Sequence, residues 1–191
     1  MTTVYFVRHA QSDHRNEDER TRGLSPRGWE DRARVTRFFA DQHVDSAFSS
    51  PYQRAVDTIS DFTERRGMTI QTVEEFREWQ RDARPFASFE DMCRAYWADL
   101  DYKSPGSESL REVQYRNMEA LNFILATCRD QTVIIGTHGM ALSTVLRYYD
   151  PDFGYDAFMR LCPIMPLIVK MTFAGDRFLD VEQIDIRSMP I

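Results

Sequence analysis

The chain opens on an apolar run, Thr2 to Val7, short and rich in β-branched and aromatic residues, which predicts a buried strand ending at Arg8-His9. A polar, charged stretch follows and reads as a loop. Ser25-Pro26 then has the signature of an N-cap with proline at the first helical position, opening a helix to about Ala40 whose Val35, Phe38 and Phe39 face a core. Val44 to Ser49 predicts a second strand. Ser50-Pro51 repeats the cap signature ahead of a helix to about Arg65, and Gly67 ends it before a third short strand at Met68 to Val73. From Glu74 to Gly106 the pattern is less regular, with one helix predicted over Phe86 to Leu100. Pro105-Gly106 marks a turn, and Ser109-x-x-Glu112 forms a capping box for a long helix with Val113, Met118, Leu121, Ile124 and Leu125 on one face. Gln131 to Gly136 is a continuous apolar strand that ends at Thr137-His138-Gly139, and a helix from about Met140 to Tyr149 follows directly. The final segments, Ile164 to Phe173 and Phe178 to Ile186, predict two strands joined at Gly175-Asp176.

Strands that alternate with amphipathic helices imply an α/β fold: a mostly parallel central sheet flanked by helices on both faces. The expectation is a single domain over residues 1–191, with a small helical cap or insertion at about 79–106. The composition agrees, since 42% of the 191 residues are hydrophobic and 28% charged, which excludes disordered and coiled-coil classes. A net charge of -6 argues against nucleic acid or an anionic membrane as partner. No stretch approaches the roughly 18 apolar residues of a membrane span, and the amino terminus lacks a basic region followed by an apolar one. A cytoplasmic location with reduced thiols is therefore expected. Cys93, Cys128 and Cys162 form no C-x-x-C, no zinc motif is present, and neither a metal nor another cofactor is expected.

In α/β sheets of this kind, ligands bind beyond the carboxyl ends of the strands. His9 and His138 each fall at such an end, with Arg8 beside the first and Arg54 in the first turn of the helix after Ser50-Pro51. A helix N-terminus offers free N–H groups and partial positive charge, and a guanidinium is a planar fork that matches phosphate oxygens. Of the 24 basic residues only Lys103 and Lys170 are lysine, so arginine is common everywhere and position must carry the argument. Two arginines and two histidines around one point suit a dianion. A neutral imidazole there can attack phosphorus and form a phosphohistidine.

The segments VRHAQS at 7–12, SSPYQRAVDT at 49–58, PGSES at 105–109 and GTHGMALS at 136–143 resemble, in order and spacing, the histidine phosphatase superfamily. This is the phosphoglycerate mutase-like group, named for an Arg-His-Gly signature, and the resemblance covers roughly residues 3–150. It implies that His9 is the nucleophile, that Arg8 and Arg54 clamp phosphate, and that His138 stabilises the charge of the transferring group. Ser12 would be a further phosphate hydrogen-bond donor. The apolar-x-Glu motif that carries the family's general acid is matched by Phe76-Arg77-Glu78, which assigns Glu78, with Glu74 and Glu75 close by as alternatives. Two positions depart from the pattern: Ala10 replaces the usual glycine, and Arg15 stands where the family often has asparagine, with Asn16 one residue later.

The activity implied is metal-independent hydrolysis of a phosphomonoester, with a small-molecule substrate favoured and a phosphoprotein also compatible. A mutase using the same site and a non-catalytic phosphate-binding protein are the alternatives. The short interval from Gln80 to Ser104, whose bases are Arg81, Arg84, Arg94 and Lys103, favours hydrolysis over the mutase. A homodimer is left open. His14 and His43 are expected at the surface, Trp79, Tyr96, Trp97 and Tyr102 mainly in packing, and Met140, Met159, Met165 and Met171 in the core.

Overall fold

The computed structural model describes residues 1–81 and 86–189. Six strands form one sheet: β1 (Thr2–Arg8), β2 (Ser46–Ser49), β3 (Ile70–Thr72), β4 (Thr132–Thr137), β5 (Leu167–Ala174) and β6 (Arg177–Ile184). Their order is β3-β2-β4-β1-β5-β6. The first four in that order run parallel, while β5 is antiparallel to β1 and to β6. The helices are α1 (Pro26–Phe39), α2 (Gln53–Arg65), α3 (Phe89–Ala98), α4 (Leu110–Thr127), α5 (Gly139–Tyr149) and α6 (Tyr155–Leu161).

Strand periodicity divides the apolar residues between the two faces. Tyr5 and Val7 of β1 pack with Val35 and Phe39 of α1 and with Ile59 and Phe62 of α2. Val4 and Phe6 pack on the opposite side with Leu121 and Ile124 of α4 and Val145 of α5. The α/β architecture with helices on both faces is thus the one the alternation implies.

The caps on α1 and α4 follow the local sequence. Ser25 accepts the Gly28 N–H with Pro26 at the first helical position, and Ser109 and Glu112 form both bonds of the capping box. Gly28 has a further reason to be glycine, since an added Cβ would stand 2.1 Å from the Gln11 carbonyl oxygen. That contact seats the loop after β1 against α1, with the Ser25 N–H donating to the same carbonyl at 2.9 Å.

Several boundaries differ from the sequence expectation. Helix α2 starts at Gln53 with Tyr52 as its cap residue, because the Ser50 hydroxyl is occupied elsewhere. Strand β3 is cut to Ile70–Thr72 and pairs with β2 at the sheet edge. Helix α3 is shorter than Phe86 to Leu100. The segment expected to begin a strand at Ile164 starts one only at Leu167, and the helix α6 before it was not expected. Of the expected cap at 79–106, Asp82 to Pro85, including Arg84, lie outside the described residues. Trp79, Tyr96 and Trp97 are buried, with Trp79 and Tyr96 edge to face at 4.5 Å, and Tyr102 packs on Tyr96 at 5.0 Å. Met140 and Met171 are core residues, but Met159 and Met165 are only half-buried.

Candidate active site

The carboxyl ends of β1, β2 and β4 open onto a cavity of about 680 Å3 whose lining includes Arg8, His9, Ser12, Arg54, Glu78 and Gly139. His9 follows β1 directly and is buried. Its Nδ1 lies 2.7 Å from the Ala10 carbonyl oxygen, and its Nε2 lies 3.3 Å from the Arg54 Nε. A carbonyl only accepts and a guanidinium only donates, so the proton must sit on Nδ1 and the lone pair on Nε2. Burial pushes the His9 imidazole well below its ordinary value of 6.5, and the Arg54 and Arg8 charges push it the same way. His9 is therefore a neutral imidazole with a fixed tautomer, its Nε2 lone pair accepting the Arg54 Nε–H.

Arg8 is the last residue of β1. Its Nη1 donates to the carbonyl oxygens of Leu161 at 2.8 Å and Ile164 at 3.0 Å, while its buried Nε has no hydrogen-bond partner among the described residues. Those two carbonyls lie at the end of α6 and just beyond it, so the unexpected helix holds one of the expected phosphate ligands. Arg54 stands in the first turn of α2. Its Nη1 and Nη2 donate to the Glu19 carbonyl at 2.7 Å and the Glu19 carboxylate at 2.8 Å. Three of its five N–H donors are thus used, and two remain. Burial lowers the values of both arginines, opposed by Cys162 and Glu78 at Arg8 and by Glu19 and Glu78 at Arg54; both stay charged.

His138 is fully buried as the residue capping α5. Its Nε2 is 2.7 Å from the Ser50 Oγ, its ring centroid is 5.2 Å from those of both His9 and Tyr52, and its Nδ1 has no partner among the described residues. Burial again leads in pushing its value well below 6.5, followed by the charge of Arg54. Ser50 also accepts the Tyr52 N–H at 3.2 Å. The sequence offered it as a helix cap, but its hydroxyl orients a site histidine.

Glu78 reaches the N-terminus of α5. Its Oε2 accepts the Met140 N–H at 3.1 Å, and its Oε1 accepts those of Ala141 at 3.0 Å and Trp79 at 2.8 Å. A carboxylate over a helix N-terminus lies in a favourable field. Glu74 and Glu75 do not share this position. Glu74 pairs with Arg20 and lies 3.6 Å from the Arg77 Nε, and Glu75 is exposed. Gly139 matters because an added Cβ would come within 3.2 Å of the Arg8 Nη2. Its lack of a side chain lets the guanidinium lie against the start of α5.

The structure brings Arg8, His9, Ser12, Arg54, Glu78 and His138 together. Ser12 is buried with its hydroxyl 3.5 Å from the His14 Nε2. His14, expected only at the surface, is exposed yet lines the cavity. His43 is at the surface, paired with Asp45 at 2.8 Å. Glu19 on Arg54 and Ser50 on His138 were not singled out as site residues. Glu19 sits in a charged run that reads as a solvated loop, and its place follows from backbone bonds that tie Arg20 and Arg22 to Gln53 and Arg54. Among the described residues, no group of three or more His, Cys, Asp or Glu side chains is placed to hold a metal ion, and no helix is long and apolar enough to cross a membrane.

A family model for the histidine phosphatase superfamily (branch 1) matches residues 4–178. The chain is 28% identical over 159 residues to a Hydrogenobacter thermophilus protein named "Putative phosphoserine phosphatase 2", covering 76% of this chain and 77% of that one. Among solved structures, a phosphoserine phosphatase mutant from Entamoeba histolytica in complex with phosphoserine matches with a TM-score of 0.76 at 14% identity, covering all of both chains at 100%. A mycobacterial glucosyl-3-phosphoglycerate phosphatase in complex with inorganic phosphate matches with a TM-score of 0.74 at 18% identity, covering 94% of this chain and 95% of that one. At those identities the structural likeness shows the fold, whereas the family model spans nearly the whole sequence, including every strand-end residue of the cavity: the chain belongs to the histidine phosphatase superfamily, branch 1.

Proposed function

We propose that this protein hydrolyses phosphomonoesters through a phosphohistidine on His9. The observation that carries the reading is the fixed tautomer of His9: Nδ1 spent on the Ala10 carbonyl and Nε2 left with a lone pair beside Arg54. In the first step the Arg54 Nε–H turns from His9 Nε2 to the phosphoryl group, the released lone pair attacks phosphorus, an N–P bond forms, and the ester P–O bond breaks in line. Arg8 and Arg54, with Ser12 beside them, line the cavity around the position proposed for the phosphoryl oxygens and offset the charge that gathers there, while His138 packs behind His9 at 5.2 Å between ring centroids and meets the phosphoryl group only as it arrives.

The leaving alkoxide needs a proton, and Glu78 supplies it as a carboxylic acid. Its Oε1 accepts two N–H bonds and its Oε2 only one, so Oε2 keeps a site for that proton. In the second step the Glu78 carboxylate takes a proton from water, the water oxygen attacks phosphorus, and the N–P bond breaks. Inorganic phosphate leaves, and His9 and Glu78 return to their starting forms. No step calls for a metal. The substrates named for the relatives are small phosphomonoesters, and a cavity of about 680 Å3 admits a molecule of that class.

The test is phosphate release from p-nitrophenyl phosphate in EDTA, alongside 3-phosphoglycerate with a bisphosphoglycerate primer, for wild type and His9→Ala. Release that falls by about 10³-fold or more in the variant supports the reading. An undiminished rate in His9→Ala overturns it. Isomerisation without release would instead identify a mutase, and phosphate binding without turnover a binding protein.

A further inference from the structure

Glu78 lies on an irregular stretch between a 3₁₀ turn at Glu74–Phe76 and Arg81, with no helical or strand ladder to hold it. A proton donor must nevertheless stand within hydrogen-bond reach of one particular oxygen. The Phe76 and Trp79 side chains of this stretch are buried in the core, and its backbone is tied by a charged cluster. The Arg116 Nη1, from α4, donates to the carbonyl oxygens of Glu75 at 2.6 Å and Arg77 at 2.7 Å, and its Nη2 lies 3.3 Å from that of Glu78. The other edge of the same guanidinium meets the Glu108 carboxylate, with Nε at 2.9 Å and Nη2 at 3.0 Å. Arg77 grips that carboxylate as a fork, with two bonds of 2.7 Å.

The Glu108 main chain completes the arrangement. Its carbonyl accepts the Trp79 indole N–H at 2.9 Å, its N–H donates to the Gln80 carbonyl at 2.9 Å, and the Gln80 N–H donates to its carboxylate at 3.0 Å. Residues on both sides of Glu78 are therefore tied to Glu108, and the Glu78 carbonyl itself to Arg116. Burial works to raise the Glu108 carboxyl, yet Arg77 and Arg116 outweigh it and bring it to about 2. The cluster stays fully ionised through neutral and mildly acidic pH.

We infer that Glu108 and Arg116 are positioning residues for the proton donor, holding the backbone of residues 75–80 so that the Glu78 carboxyl is delivered to the leaving-group oxygen. The inference rests on the role proposed for Glu78. Neither residue lines the cavity, so neither acts on the substrate directly. The consequence is chemical: displacing Glu78 costs most where the leaving group needs a proton and least where it does not. An alkoxide needs one, whereas p-nitrophenolate leaves without it.

The experiment measures kcat/KM for p-nitrophenyl phosphate and for an alkyl phosphomonoester, β-glycerol phosphate, in wild type, Glu78→Gln, Glu108→Gln and Arg116→Lys. This parameter covers steps only up to alcohol release, so phosphoenzyme hydrolysis, common to both substrates, does not enter. Glu78→Gln is expected to lose about 10²-fold or more on the alkyl ester with a much smaller loss on the aryl ester. Glu108→Gln is expected to reproduce that selective loss by about tenfold, and Arg116→Lys, which keeps the charge but loses the fork, to reproduce it more weakly. Either variant alone serves if the other does not fold. Selective loss in Glu78→Gln with equal loss on both esters, or none, in the cluster variants would overturn the positioning role. Absence of selectivity in Glu78→Gln itself would overturn the acid assignment, and the inference with it.

Discussion

At the scale of single residues, the site depends on two histidines kept neutral for the same physical reasons. Burial comes first, and the charge of Arg54 second. Both groups therefore bind fewer protons in the folded chain than in the unfolded one near pH 6, so stability rises with pH there. The stability is complete above the unfolded value of 6.5 and is lost as pH falls from 6.5 towards the folded values. Each histidine costs up to about 1.4 kcal/mol per pH unit within that window. The melting temperature is thus expected to drop between pH 7 and pH 5. The Glu108 carboxyl, at about 2, contributes in the same direction only at lower pH. A melting temperature that stays flat from pH 7 to pH 5 would show that the two imidazoles are not held neutral.

The sequence revealed these residues unevenly. His9 and His138 were visible because strand-end positions follow from hydrophobic runs that stop abruptly. Ser50 was visible only as part of Ser50-Pro51, and that signature shows a hydroxyl near a helix start without showing which partner it takes. Its hydroxyl accepts the Tyr52 N–H and meets the His138 Nε2, a partner 88 residues away. Glu19 gave no signal, since its effect on Arg54 exists only once the loop from Asp13 to Ser25 closes over α2.

At the scale of elements, the start of α5 carries much of the site: His138 as its cap residue, then Gly139, and the Met140 and Ala141 N–H groups on Glu78. Arg8 lies this close to the turn because position 139 has no Cβ, which would stand 3.2 Å from its Nη2. Gly139→Ala is expected to lower kcat/KM by roughly tenfold, since the guanidinium must shift by a few tenths of an ångström from its place against the phosphate. The melting temperature should hold or rise slightly, because alanine favours a helix more than glycine does. Unchanged kcat/KM would show that this packing does not set the position of Arg8. Helix α6, which supplies the Leu161 carbonyl on the other side of Arg8, spans 7 residues. Two turns are too few for hydrophobic periodicity to reveal a helix, whereas the 18 residues of α4 with their capping box are plain in sequence.

At the scale of the whole molecule, the sheet order places the ends of β2, β4 and β1 side by side, and the site gathers there. Alternation of strands and helices made this architecture legible, since each strand's two faces are written into its period of two. The Glu108 cluster was not legible in the same way. The PGSES segment could be read as a motif, but the bonds it makes join residues 31 and 28 positions apart, and no local pattern encodes such a pairing.

If His9 is the nucleophile, the phosphoryl group resides on it during turnover, and trapping it there tests this without intermediaries. Wild type and Glu78→Gln, in which removal of the base slows phosphoenzyme hydrolysis, would be mixed with p-nitrophenyl phosphate and quenched in alkali, where phosphohistidine survives. The peptides would then be read by mass spectrometry. The expected result is one phosphoryl group on the peptide that holds His9, accumulating further in Glu78→Gln and absent from His9→Ala. A phosphoryl group on another residue, or turnover with none on His9 in either protein, would contradict it.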